Sequence, residues 1–181
     1  MYKNKIPFVD LKLQNFKFIN NFLKSLKIII EESNYIKGKN NLLLEKKISN
    51  IFKVKYALNV NSGTDALIIA IKSLNIKKNS EIITTSNTWI SSAYAIELNY
   101  CKPVFIAVET DSFQMNCNLL EGKITNKTRA IIVTHLYGNP NDMNKILRIA
   151  KKYNLFIIED IAQAHLAEYD NKIVGNFGDV S

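Results

Sequence analysis

The stretch Leu155-Phe156-Ile157-Ile158-Glu159-Asp160 sets the tightest limit on what this chain can fold into. Four apolar residues run without a break into two carboxylates. A run so short, apolar at consecutive rather than alternate positions, suits a strand covered on both faces, the usual state of strands in a parallel sheet. The chain before it keeps a matching rhythm. Residues 56–60, 81–84, 103–108 and 129–134 are further strand candidates, with Pro103 suiting a strand start. Helical spacing separates them at 66–74, 88–98, 119–124 and 141–153, and 111–116 is polar loop. Strands alternating with helices imply crossover connections and a largely parallel sheet, an α/β architecture. Ligands bind such sheets at the carboxyl ends of the strands, where Asp160 falls.

The front of the chain reads differently. After an extended entry at Ile6-Pro7-Phe8-Val9-Asp10, the residues Leu13, Phe16, Ile19, Phe22, Leu23, Leu26, Ile29 and Ile30 recur at helical spacing, predicting one amphipathic helix that ends before Ser33. Gly38, Asn40 and Asn41 mark a turn. A second helix carries Leu43, Leu44, Ile48, Ile51 and Phe52. The organisation expected is an N-terminal helical segment, 1–55, followed by an α/β part, 56–181. Stripes of Phe and Leu like these suit core or subunit contacts.

Composition excludes some partners. The net charge of +8 invites a nucleic-acid reading, but the lysines are scattered, only two arginines occur, and no basic run is interleaved with aromatics. Solvated lysine faces account for the charge, and no nucleic acid is expected. Cys101 and Cys117 have no metal-ligand spacing with either histidine, which points to a reducing compartment and no metal site. The longest apolar run, 66–71, is far short of a membrane span, so the expectation is a cytoplasmic protein with no membrane partner.

Four places carry residues with chemistry to offer. Ser62-Gly63-Thr64 lies between a strand candidate and a helix, where free N–H groups and the helix dipole favour an anion such as phosphate, and the two hydroxyls add donors. The same residues also make an ordinary N-cap. Trp89, the single tryptophan, follows the 81–84 strand; it is either a core residue or a ring that stacks on a flat heterocycle. His135 ends a strand and is more simply held by a local hydrogen bond than used as a proton shuttle; His165 has a weaker case still. Asp160 can hold a cationic ring nitrogen, and Gln163 can donate to a ring oxygen. A phosphate turn, a stacking ring, an aspartate and a glutamine on one sheet edge suit pyridoxal phosphate (PLP), whose pyridinium needs an acidic partner.

The sequence resembles the DegT/StrS-type sugar aminotransferases, PLP enzymes of fold type I. The likeness runs from Ile6-Pro7-Phe8-Val9-Asp10-Leu11 through Val60-Asn61-Ser62-Gly63-Thr64-Asp65-Ala66-Leu67, Asn87-Thr88-Trp89-Ile90, Lys102-Pro103-Val104-Phe105, His135-Leu136-Tyr137-Gly138 and Glu159-Asp160-Ile161-Ala162-Gln163-Ala164 to Gly175-Asn176-Phe177-Gly178-Asp179. It implies a three-layer α/β/α large domain in which Gly63 and Thr64 bind the cofactor phosphate, Trp89 stacks on the ring, Asp160 pairs with the pyridine nitrogen and Gln163 bonds the ring hydroxyl oxygen. It also implies amino transfer to a keto-sugar nucleotide, glutamate as donor, a homodimer, and products destined for surface polysaccharide or lipopolysaccharide. One departure stands against these matches. The family's Schiff-base lysine lies a few residues past the Gly-Asp turn, beyond Ser181, as do the remaining strands and the small C-terminal domain. The chain is therefore expected to be the N-terminal part of such an enzyme and silent alone. The alternatives are a non-catalytic fragment, half of a split enzyme, or a sugar dehydratase of the same family with histidine in place of that lysine.

Overall fold

The computed structural model describes residues 6–181. They divide into two compact units, one up to Lys46 and the other Lys47–Ser181. The first is helical. Its apolar stripe forms not one helix but two, α1 (Leu11–Phe16) and α2 (Ile19–Glu32), separated by a turn at 17–18. Asp10 caps α1, its carboxylate accepting the Leu13 N–H at 2.9 Å. α2 closes on Ser33 in the left-handed conformation, whose N–H reaches back to the Ile29 and Ile30 carbonyls. A third helix, α3 (Lys39–Phe52), crosses the division between the units.

The second unit is built on four parallel strands. They are β1 (Glu81–Thr85), β2 (Lys102–Ile106), β3 (Thr128–Thr134) and β4 (Phe156–Asp160), in the order β2-β1-β3-β4. Helices α4 (Gly63–Ser73) and α5 (Ser91–Leu98) cover one face; α6 (Cys117–Lys123) and α7 (Met143–Tyr153) cover the other. Strand alternation explains the two cores. Ile82, Ala130, Ile132 and Ile158 meet Leu67, Ile71 and Ile96 on the first face. Ile83, Ile131, Val133 and Ile157 meet Leu120, Met143 and Ile146 on the second. Consecutive apolar residues were therefore the mark of a sheet buried on both sides.

Two expectations need correction. Residues 56–60, read as a strand, form none. They carry no strand assignment, and Tyr56 and Leu58 stay exposed along a groove of about 500 Å³ whose other walls include Ile69, Ala70 and Val180. β-propensity supplied the residue types, but the described sheets are formed by other segments. The helix read from Thr88 begins at Ser91, leaving Trp89 in the preceding turn. Past β4, a hairpin of β5 (Glu168–Tyr169) and β6 (Lys172–Ile173) turns on Asp170 and Asn171, both at positive φ, as a two-residue hairpin loop requires. The chain then returns along the β4 edge, where Val180 bridges Ile158 in parallel.

Candidate functional site

The carboxyl ends of β1, β3 and β4 and the start of α4 bound a cleft of about 280 Å³. Gly63, Thr64, Trp89, Asp160 and Gln163, chosen from the sequence on separate grounds, all line it.

On the α4 wall, Ser62 is extended and caps the helix. Its hydroxyl accepts the Asp65 N–H at 3.1 Å and its carbonyl accepts the Ala66 N–H at 3.0 Å. The hydroxyl also donates to the Asp65 carboxylate, so it serves the cap rather than the cleft, contrary to its expected role as a second anion donor. The N–H groups of Gly63 and Thr64 belong to the first turn, where no intrahelical acceptor exists. A Cβ built on Gly63 meets nothing within 4 Å, so the approach to this helix start is open. Such a terminus attracts an anion.

Trp89 is 75 % exposed, which removes the core-tryptophan reading. Across the cleft from β1 to β3, the Thr88 and Thr134 hydroxyls are joined at 3.2 Å. Asp160 is half-buried, and its Oδ1 accepts the Ala162 N–H at 3.1 Å. That leaves Oδ2 with its acceptor capacity. Gln163 Oε1 accepts the Tyr137 N–H at 2.8 Å, which fixes the amide so that its NH₂ is the group left to donate. Tyr137 and Gly138 both sit at positive φ to make this turn. Among the described residues no lysine lines the cleft.

His135 is fully buried and is not among the lining residues; it is held by hydrogen bonds, to the Asn141 N–H at 3.0 Å and to Glu159 at 3.2 Å. His165 is exposed and is not among the lining residues. Glu159 went unremarked in the sequence except as a strand end. The alternation of β4 was the signal, since it sends Glu159 and Asp160 to opposite sides. Burial alone would raise the Glu159 carboxyl. The hydrogen bonds from His135 and from the N–H groups of Gly175, Gly178 and Phe177 outweigh it and hold the group below its ordinary value. Both cysteines are free, and among the described residues no cluster could hold a metal ion. Nor is any described helix long and apolar enough to cross a membrane.

Residues 17–181 match the model of the DegT/DnrJ/EryC1/StrS aminotransferase family. The chain belongs to that family. It is 39 % identical over 176 residues to a dTDP-3-amino-3,6-dideoxy-alpha-D-galactopyranose transaminase of Aneurinibacillus thermoaerophilus, covering 97 % of this chain and 48 % of that protein. Among solved structures, S. venezuelae DesV in complex with a ketimine intermediate superposes with a TM-score of 0.91 at 32 % identity, over 94 % of this chain and 46 % of that one. A GDP-4-keto-6-deoxymannose-3-dehydratase with a trapped PLP-glutamate geminal diamine gives a TM-score of 0.80 at 25 % identity, over 86 % and 42 %. The fold is thus the α/β fold of the fold type I aminotransferases. The chain spans about half the length of the curated relatives it matches.

Proposed function

We propose that this chain carries the cofactor cleft of a PLP-dependent aminotransferase that aminates a keto-sugar nucleotide, with glutamate as donor. The observation behind the reading is the convergence of Gly63, Thr64, Trp89, Asp160 and Gln163 on one cleft. The identity with a nucleotide-sugar transaminase supports it. The donor set also fits the cofactor: a helix start for phosphate, an indole for a flat ring, a carboxylate for a pyridine nitrogen, an amide NH₂ for a phenolic oxygen. Bound PLP supplies the carbonyl carbon for amino exchange and a ring that withdraws electrons when its nitrogen is protonated.

Each residue then has a task. The Gly63 and Thr64 N–H groups anchor the phosphate, with the α4 dipole behind them. Trp89 fixes the ring plane by stacking. Asp160 holds the proton on the ring nitrogen, and Gln163, locked by Tyr137, donates to the ring oxygen. The lysine that would carry the cofactor is proposed to come from sequence outside 1–181, since no lysine among the described residues lines the cleft. A homodimer, a cytoplasmic setting and products for surface polysaccharide or lipopolysaccharide complete the proposal. A sugar dehydratase is the second reading, favoured by the 25 %-identical neighbour, but the identity to the transaminase is higher.

Trp89, the single tryptophan, reports the test. PLP added to the 181-residue chain should quench its emission, and Asp160→Ala should weaken that binding. Borohydride should leave no stoichiometric pyridoxyl-lysine, and a keto-sugar nucleotide with glutamate should not turn over. Joining on the second half of the Aneurinibacillus transaminase should restore turnover. Absence of quenching would remove the cofactor reading; a specific lysine adduct on 1–181 alone would remove the claim that the lysine lies elsewhere.

A further inference from the structure

The two carboxylates that end β4 face different surroundings. Asp160 lines the cleft, whereas Glu159 is 1 % exposed and enclosed by donors. Glu159 Oε1 accepts the N–H groups of Phe177 at 2.7 Å and Gly178 at 2.6 Å. Oε2 accepts the Gly175 N–H at 2.8 Å and faces His135 Nε2 at 3.2 Å. His135 Nδ1 accepts the Asn141 N–H, so in the neutral ring the proton lies on Nε2 and points at Glu159. Two glycines make the enclosure possible. Gly175 has φ +93°, and a Cβ on Gly178 would stand 2.7 Å from the Ile157 carbonyl oxygen. Backbone N–H groups gathered in this way form an anion nest. Here the anion is the chain's own carboxylate.

Main-chain bonds hold the strand end around Asp160 as well. The His135 N–H donates to the Asp160 carbonyl at 3.0 Å from the β3 side, and the Glu159 N–H donates to the Val180 carbonyl at 2.9 Å from the other side. The end of β4 is thus tied to β3 and to the returning chain by main-chain bonds, with the Glu159 side chain bridging both neighbours. We propose that Glu159 is a positioning residue for Asp160: its buried charge locks the 175–178 turn and the end of β3 onto β4, and so sets the backbone from which Asp160 reaches the cleft. The depressed carboxyl pKa agrees with a charge held by these donors. Only the cofactor arm of the test below rests on the PLP reading.

The test is amide hydrogen exchange on the 181-residue chain and its Glu159→Gln variant at neutral pH. A glutamine keeps one acceptor oxygen and turns an NH₂ toward two N–H donors. Exchange should quicken about tenfold or more at Gly175, Phe177 and Gly178. It should also quicken at His135 and Ala162, whose N–H groups report the Asp160 carbonyl and carboxylate, while Ile83 and Ile146 in the core stay unchanged. In the same variant PLP should quench Trp89 less tightly, with partial recovery in Glu159→Asp. Acceleration confined to 175–178, with His135, Ala162 and PLP affinity unmoved, would overturn the proposal and leave Glu159 a loop anchor. Should Glu159→Gln lose protection throughout, His135→Gln decides, because it spares the three backbone donors. It should quicken exchange at Ala162 while 175–178 stays protected, and no change at Ala162 would overturn the proposal. A wild-type chain that PLP does not quench fails the cofactor reading, and the exchange pattern still judges Glu159.

Discussion

Helices α2 and α7 are written in the same code and end in different circumstances. Both repeat apolar residues every three or four positions, and both close on a left-handed residue, Ser33 and Asn154. α7 buries Met143, Ile146, Ile149 and Ala150. α2 buries none of its residues, and Phe22, Leu23 and Ile30 remain half exposed or more. The difference lies in connection. α7 joins β3 to β4, which pair with each other, so the crossover must lay its apolar face on the sheet. Nothing of the kind constrains α2. Periodicity shows that a face needs cover, and topology shows what covers it.

The contrast is broken most readily at Ile146. Truncating this fully buried side chain to alanine should cost about 2–5 kcal/mol in denaturant unfolding, since it removes apolar contact and leaves a cavity. A cost near zero would mean that α7 is as uncommitted as α2.

Acid should act on the same unit. The folded Glu159 carboxyl lies below its unfolded value, so its stabilisation is complete above the unfolded value and is lost as pH falls through the folded one. Asp142 acts in the same direction: burial raises it, but hydrogen bonds from Lys145 and Tyr169 prevail. Unfolding followed against pH should therefore show an acid limb that Glu159→Gln flattens. An unchanged limb would exclude Glu159 as its source. Asp142 also caps α7 through the Lys145 N–H at 3.1 Å, and Asp142→Ala should cost about 1 kcal/mol at neutral pH. Thermal denaturation would measure it.

The sequence made the sheet legible because each of its four strands is a short apolar run with a helix on at least one side, and local pattern suffices for that. It made the cleft legible because Gly63 opens α4, Trp89 lies between β1 and α5, and Asp160 and Gln163 lie at and just past the end of β4, and a parallel sheet brings such points to one edge. What it hid depends on partners. Residues 56–60 carry strand chemistry but join neither of the described sheets. Glu159 is adjacent to Asp160 in sequence, yet its donors come from Gly175, Phe177 and Gly178, which no local window joins to it. The Tyr137 N–H that orients Gln163 depends on two positive-φ residues, and Tyr137 is not a residue type that announces one.

The smallest effect on folding is expected on α2, and it is the one that sharpens the comparison furthest. Phe22 and Leu23 are 63 % and 54 % exposed, so truncating them forfeits little burial within the chain. Phe22→Ala with Leu23→Ala should change unfolding by no more than about 0.5 kcal/mol for each substitution, the usual range for surface positions. Alanine also favours the helix, which offsets part of any loss. The proposed homodimer predicts a different outcome in association. An apolar face of this kind, running from Leu11 and Leu13 through Phe16 to Ile30, is unusual on a surface that stays in water. If a second copy covers it, the complete enzyme should be a dimer by light scattering, and the paired substitution should shift it towards monomer without altering the unfolding of the α/β unit. A dimer that ignores both substitutions would place the subunit contact elsewhere. α2 would then differ from α7 in having no cover at all, and its stripe would have to be explained by something other than assembly.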